Sequence, residues 1–203
     1  MMKKMISMLS CLAVMLSLAI NVSAVDQIDL ETGMSKEART VELQQEKQAA
    51  EEILGGKCKV ESQEVQQVGN YVVETRFYVL DEVNARSNSG ECGGLSSHTW
   101  RQYGSDEWDI KVLFSAFFYY NGTTAICRQD ETSFWAINPD NSIIHKNFNE
   151  EFTYSDGATA KARCQYAMDV PGSSTEPIIY GNLKVTCTKT GVIGYENDNK
   201  RYF

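Results

Sequence analysis

The sequence is poor in positive charge. Its 203 residues contain 19 lysines and arginines against 27 aspartates and glutamates, which gives a formal net charge of -8 at pH 7. No basic run occurs beyond the first few positions. Nucleic-acid binding depends on cationic surface that neutralises phosphates, and this acidic chain has no obvious source of it. We therefore expect no nucleic-acid partner.

The sequence also lacks clustered metal ligands. Its six cysteines are widely spaced, His98 and His145 stand alone, and neither a CxxC nor an HExxH motif occurs. Zinc sites need such ligands at short, regular spacings. The segments 130–131 and 138–142 offer oxygen atoms suited to calcium, but Asn-Pro-Asp-Asn is first of all a turn sequence. The sequence predicts no metal site, no bound cofactor and no catalytic group.

A secretory signal peptide is our interpretation of residues 1–24. Two lysines form a basic start, residues 5–20 are apolar, and small residues precede a cut after Ala24. The apolar run is shorter than the roughly 20 residues that span a bilayer, and no later segment is long and apolar enough to form an anchor. Cleavage would leave a mature chain that begins at Val25 with a formal net charge of -10.

Cys11 offers a rival interpretation of the same segment, as the acceptor of a lipoprotein signal. Cleavage before Cys11 would place the apolar stretch 12–20 at the start of the mature chain, which argues against lipidation. We expect a secreted protein, either extracellular or in the cell envelope, with no membrane span.

The first part of the mature sequence, 25–83, predicts a helix and a β-hairpin. Good helix formers at 40–54 precede Gly55-Gly56, which indicates a helix of about four turns. Apolar and polar residues then alternate at 71–79, the pattern of a half-buried strand, and 59–67 is its predicted partner. A Ser-, Asn- and Gly-rich segment at 84–94 is interpreted as a linker or long loop.

In the remainder, 95–203, short strand patterns are separated at regular intervals by turn-forming residues, which is typical of an antiparallel β-sandwich. The segment Asp109–Tyr120 is apolar on both faces, which predicts a central strand covered on both sides. Alternation predicts that one set of residues on a later strand faces the core: Ala158, Ala160, Ala162, Cys164, Tyr166 and Met168. The predicted fold class is mainly β, with a C-terminal antiparallel β-sandwich preceded by a helix plus β-hairpin.

Two segments of this β-rich part carry a resemblance. They are WDIKVLFSAFFYYNGTTAIC at 108–127 and NLKVTCTKTGVIGY at 182–195. The chain resembles small exported proteins of Gram-positive, gut-type bacteria that have no known function. Their pattern is a Trp-led strand, a Tyr-Asn-Gly turn, a cysteine strand and a last strand that ends in Thr-Cys before a Gly turn. The resemblance covers about the last hundred residues and implies no activity.

Five cysteines remain after removal of the predicted leader, an odd number that leaves one unpaired. In an exported domain we expect two disulfides. The resemblance implies the first, between Cys127 and Cys187, because the resembled proteins share those two positions. Cys58 with Cys92 is the second predicted pair, which leaves Cys164 as a buried free thiol. The alternative is that all five are reduced and buried as small hydrophobic residues.

The most specific enzymatic hypothesis is that Cys92 acts as a nucleophile. A thiolate nucleophile needs a nearby imidazole, which His98 or His145 would supply. A Gly- and Ser-rich loop holds a catalytic group poorly, and we expect His98 to be a solvent-exposed loop residue. A thiol hydrolase is therefore the least favoured of the functions considered.

Aromatic residues in or near predicted loops suggest binding instead. Trp100, Tyr103 and Trp135 would stack on sugars or meet a protein surface, unless they close the ends of the sandwich core. We expect an exported, acidic, non-enzymatic protein that acts by surface contact with a protein or glycan partner. A carbohydrate-binding module is the alternative.

Overall fold

Within the residues that the structure describes, the chain forms one helix followed by ten strands. The structure is a computed structural model that describes residues 35–81, 88–102, 109–137, 146–169, 178–196 and 201–202. The predicted signal peptide at 1–24, Tyr103 and His145 lie outside these ranges. The elements are α1 (Lys36–Leu54), β1 (Cys58–Val68), β2 (Tyr71–Leu80), β3 (Gly90–Gln102), β4 (Asp109–Tyr120), β5 (Ala125–Ile137), β6 (Lys146–Ser155), β7 (Thr159–Asp169), β8 (Ile178–Thr188), β9 (Ile193–Tyr195) and β10 (Arg201–Tyr202).

The strands form two antiparallel sheets. The first is a meander in the order β1-β2-β3-β4-β5, and the second has the order β10-β8-β7-β6, with β9 paired to β8. Their inner faces contribute to one buried apolar core, in which Phe77 and Phe118 of the first sheet join Leu183 and Val185 of the second. This is a sandwich-like arrangement of two facing sheets, so the predicted mainly-β fold class is confirmed.

Helix α1 lies on the opposite, outer face of the first sheet. It begins after Ser35, whose side chain accepts a hydrogen bond from the Ala38 backbone N–H at 3.2 Å. It ends at Gly55, which adopts a left-handed conformation with φ of 73°. The helix is therefore one turn longer at its start than the predicted 40–54. Its buried residues recur every fourth position: Glu42, Glu46, Ala50 and Leu54.

The linker predicted at 84–94 does not hold for the residues from Gly90 onward. These belong to β3, which pairs with β2 on one side and β4 on the other. A Cβ atom at Gly93 would lie 2.9 Å from the Phe117 side chain, and one at Gly94 would lie 3.0 Å from Val185. The glycines thus admit large neighbouring side chains instead of making the segment flexible. The predicted regions 25–83 and 95–203 consequently share one five-stranded sheet.

Candidate functional site

Of the three aromatic residues predicted to contact a ligand, Trp100 is the one whose side chain the structure describes. Trp100 is fully buried in β3, in the core between the sheets, so its predicted place in or near a loop is wrong. Trp135 lies in β5, of which only the backbone is described at that position, and Tyr103 lies outside the described residues. His98, expected in an exposed loop, is buried in β3.

His98 and Trp100 belong to a hydrogen-bonded cluster inside the core. The Tyr166 hydroxyl lies 2.6 Å from His98 Nδ1 and accepts a hydrogen bond of 2.9 Å from Trp100 Nε1. Gly181, the β8 partner of Tyr166, makes room for this ring, because a Cβ atom there would overlap it. The cluster satisfies buried polar groups, which is a structural role.

Replacement of Tyr166 by Phe should therefore destabilise the protein without changing its shape. The substitution removes the acceptor of the Trp100 N–H and the hydrogen-bond partner of His98, at an expected cost of about 2 kcal/mol in the free energy of unfolding. Urea unfolding followed by circular dichroism measures this cost. Tyr154→Phe is the matched control, because Tyr154 is 61% exposed and loses only a solvated hydroxyl. Equal stabilities of the two variants would contradict the assignment.

The described cysteines are not linked to one another, and their positions differ from the predicted pairs. Cys58 lies beneath α1 on one side of the first sheet, whereas Cys92 lies on the other side, in the core between the sheets. The sheet therefore separates the members of the predicted Cys58–Cys92 pair. Cys164 is fully buried, as predicted.

Cys187 lies beside Cys92 instead of forming the predicted contact with Cys127. The sulfur atoms of Cys92 and Cys187 are 3.2 Å apart. The half-buried thiol of Cys127 donates to the backbone oxygen of Gln129 at 3.6 Å. The predicted Cys127–Cys187 pair is thus replaced by a pair that local sequence did not indicate.

The surroundings of Cys92 do not support its use as a nucleophile. Its hydrogen bond with Cys187 and its burial raise the pKa of the Cys92 thiol far above the usual range, which suppresses the thiolate at neutral pH. His98 lies six residues farther along β3, about 20 Å away at the usual rise of a strand. Its imidazole cannot reach the Cys92 sulfur across that distance.

A network of buried charges fills the space between α1 and the first sheet. Four carboxylates and four cations alternate in it, so that the network carries no net charge. Buried ions are tolerated when each is paired and hydrogen-bonded. The members are Arg39, Glu42, Glu46, Glu74, Arg76, Arg101, Asp109 and Lys111.

Glu46 is the best-connected member of this buried ionic network. Its carboxylate pairs with Arg76 and accepts hydrogen bonds from Tyr78 at 3.1 Å and from Ser97 at 2.9 Å. Arg76 also pairs with Glu74 at 2.6 Å. The Glu46 carboxylate thereby links α1 to strands β2 and β3. At this position on a buried helix face an apolar contact would be expected, and the ionic network takes its place.

Glu42 provides the second link between the helix and the sheet. It accepts hydrogen bonds from Lys111 at 2.6 Å and from Arg101 at 2.9 Å. Burial alone would raise the pKa of Glu42, but attraction to these two cations overcomes it and lowers the pKa from 4.5 to about 2. Glu42 is therefore ionised at any ordinary pH.

The sequence reasoning missed this network. The alternation at 71–79 left Glu74 and Arg76 on the face opposite the apolar one, which suggested contact with solvent. The signal that could have found it lies in α1, where Glu42 and Glu46 continue the spacing of buried Ala50 and Leu54. Acidic residues in line with a helix's apolar face indicate a polar surface beneath it.

A different charged surface lies on the outer face of the second sheet. Arg163 of β7 is directly opposite Lys184 of β8, and Lys161 lies two residues along on the same face. Glu196 bridges Lys161 at 2.6 Å and Lys184 at 3.2 Å. Tyr154 of β6, the register partner of Lys161, is 61% exposed. We call the surface formed by Tyr154, Lys161, Arg163 and Lys184 the outer cationic face.

Two further results bear on the kind of site the described residues can form. In that part of the chain, no three His, Cys, Asp or Glu side chains are grouped so that they could hold a metal ion. The helix found there, α1, is not long and apolar enough to cross a membrane. The buried ionic network and the outer cationic face are the charged features from which a function is argued below.

Comparison with known proteins assigns this chain to no family. The resemblance to exported bacterial proteins accordingly remains a prediction, and the function rests on the chemistry of the residues themselves. No family model matches the chain, and no curated protein or solved structure is similar to it.

Proposed function

We propose that this chain is an exported, non-enzymatic protein that acts by surface contact, and that its outer cationic face binds an acidic glycan. The observation that carries the proposal is the direct opposition of Arg163 and Lys184 in the β7–β8 register. Like charges facing each other across two strands destabilise a sheet. Local rules of this kind are most often broken where function requires it.

The arrangement of the charges suits a repeating anionic partner. Neighbouring strands lie about 5 Å apart and alternate residues about 7 Å apart, so Lys161, Arg163 and Lys184 present three cations on one patch. Glu196 bridges Lys161 and Lys184. Acidic polysaccharides carry carboxylates at regular intervals, and the exposed ring of Tyr154 offers an apolar face on which a sugar can stack.

The acidity of the whole chain sharpens the selectivity of this patch. A net charge of -8 means that the surroundings repel a polyanion, and only a local excess of cations attracts it. We therefore expect binding to weaken steeply with salt.

The internal engagement of reactive groups supports binding over catalysis. His98 is held by Tyr166, and Cys92 lies against Cys187. The helical carboxylates Glu42 and Glu46 are held by cations of the first sheet. Because these side chains already make contacts inside the protein, we infer that the protein acts through an outer surface.

Removal of two cations tests the proposal. Lys161→Gln/Lys184→Gln should weaken binding to polygalacturonate by at least about tenfold at low salt, measured by isothermal titration calorimetry. The stability of this double variant should change little, because the lost bridges to Glu196 are partly exposed and the repulsion between Lys184 and Arg163 is relieved.

The control variant is Lys57→Gln/Lys59→Gln, which removes the same charge from exposed positions at the start of the first sheet. It should bind polygalacturonate like the unaltered protein. No binding by the unaltered protein, or equal losses in both double variants, would overturn the proposal.

A carbohydrate-binding module for neutral glycans is the second candidate, favoured by the 61% exposure of the Tyr154 ring. Stacking on a neutral sugar is insensitive to the lysines and depends on the aromatic face. Binding to dextran that survives Lys161→Gln/Lys184→Gln but is lost in Tyr154→Ala would favour this candidate over the first.

A further inference from the structure

Three thiols meet at one end of the core between the sheets. Cys92 of β3 and Cys127 of β5 are both register partners of Phe118, which lies between them on β4. Cys187 projects towards them from β8 of the facing sheet. Its sulfur lies 3.2 Å from the sulfur of Cys92, although 95 residues separate the two in sequence.

We propose that Cys92 and Cys187 are an oxidative cross-linking site, at which a disulfide joins the two sheets of the sandwich. Both S–H bonds break and one S–S bond forms, with release of two protons and two electrons. The electrons pass to a disulfide oxidant, either a small disulfide or that of a thiol oxidoreductase, which takes up the protons and becomes two thiols.

The geometry requires little adjustment. A disulfide needs its sulfurs about 2.0 Å apart, so a shift of roughly 1.2 Å, shared between two side chains, completes the bond. Cys92 is 8% exposed and Cys187 is fully buried. Because a folded core shields both sulfurs from an oxidant, we expect the bond to form while the chain folds and then to resist reduction of the native protein.

The other cysteines are less suitable partners for Cys187. Cys127 makes its hydrogen bond to the Gln129 carbonyl, whereas the sulfur of Cys187 lies 3.2 Å from that of Cys92. Cys164 lies four residues along β7 from Ala160, the register partner of Cys187, a separation of about 13 Å. Cys58 lies on the far side of the first sheet.

Peptide mapping without reduction tests the pairing. The full chain is refolded with glutathione disulfide, denatured, treated with iodoacetamide and digested. The expected result is one cross-linked pair of peptides that contains Cys92 and Cys187, with the other four cysteines of the full chain alkylated: Cys11, Cys58, Cys127 and Cys164. A Cys127–Cys187 or Cys58–Cys92 link, or alkylation of all six, would overturn the proposal.

Thermal unfolding provides a second measurement that does not depend on the map. A reductant present during refolding should lower the melting temperature of the unaltered protein by roughly 10 °C, because the bond closes a long loop. The reductant should lower the melting temperature of the Cys127→Ala variant by the same amount. The melting temperature of the Cys187→Ala variant should be the same with and without reductant. If Cys127→Ala abolishes the effect of the reductant, Cys127 is the true partner and the proposal fails.

Discussion

Arg76→Met is expected to lower the free energy of unfolding by about 3 to 5 kcal/mol, a large share of the net stability of a domain. Arg76 is 1% exposed and pairs with Glu46 and Glu74, both equally buried. Methionine keeps an unbranched apolar stem but leaves two carboxylates without their shared cation. Removal of one partner from a buried ion pair is costly, because the remaining charge cannot return to water. Arg39 still pairs with Glu74 and Lys111 with Glu46, but the buried network is left with an uncompensated negative charge. Urea unfolding followed by circular dichroism measures the loss.

Lys47→Met is the matched control for this effect. Lys47 lies on α1, next to Glu46 in the sequence, and pairs with Glu51 one turn away, but its side chain is 51% exposed. Its loss should change the free energy of unfolding by less than about 0.5 kcal/mol. The double variant Glu46→Met/Arg76→Met should recover part of the stability lost in Arg76→Met, since both partners are then apolar. A cost below about 1 kcal/mol for Arg76→Met alone would contradict the buried ionic network.

Acid should destabilise the protein through Glu42 over the interval between pH 4.5 and pH 2. The pKa of Glu42 is about 2 in the folded chain against 4.5 for an ordinary glutamate. A group whose pKa is lowered by folding contributes stability above its unfolded pKa and loses it as the pH falls through the folded value. Full protonation therefore removes on the order of 3 kcal/mol.

A comparison with Glu42→Gln isolates this contribution. Glutamine cannot titrate, so its free energy of unfolding should fall less steeply than that of the unaltered protein between pH 4.5 and pH 2. The measurement is urea unfolding at several pH values in that interval at constant ionic strength. Parallel curves for the two proteins would show that Glu42 titrates as freely in the folded chain as in the unfolded one.

Much of the β architecture could be predicted because its signals are local. The apolar run of β4 predicted a strand covered on both faces, and the strand indeed lies between β3 and β5 with α1 on one side and the second sheet on the other. The small and apolar residues of β7 that were predicted to face the core, from Ala160 to Met168, are buried there. Ala158 was predicted to face the core with them but is exposed, because it lies just before the first residue of the strand. Alternation alone determines which side chains share a face of a strand.

Strand β3 could not be predicted because its composition is that of a loop. Its glycines and serines carry no β propensity, and it is a strand because it pairs with β2 and β4 along its length. The predicted exposure of His98 and Trp100 was wrong for the same reason. Residues assigned to an exposed loop became core residues once the segment was a central strand.

The sequence by itself determined the acidity, the helix, and which residues of most strands share a face, because these depend on composition and on neighbours along the chain. Only the tertiary structure decided what covers each face. The packing of α1 buries Glu74 and Arg76, and the facing of the two sheets brings Cys187 to Cys92 and leaves Cys58 on the other side. Contacts between residues far apart in the chain depend on how the sheets stack, and spacing within one strand carries no information about that.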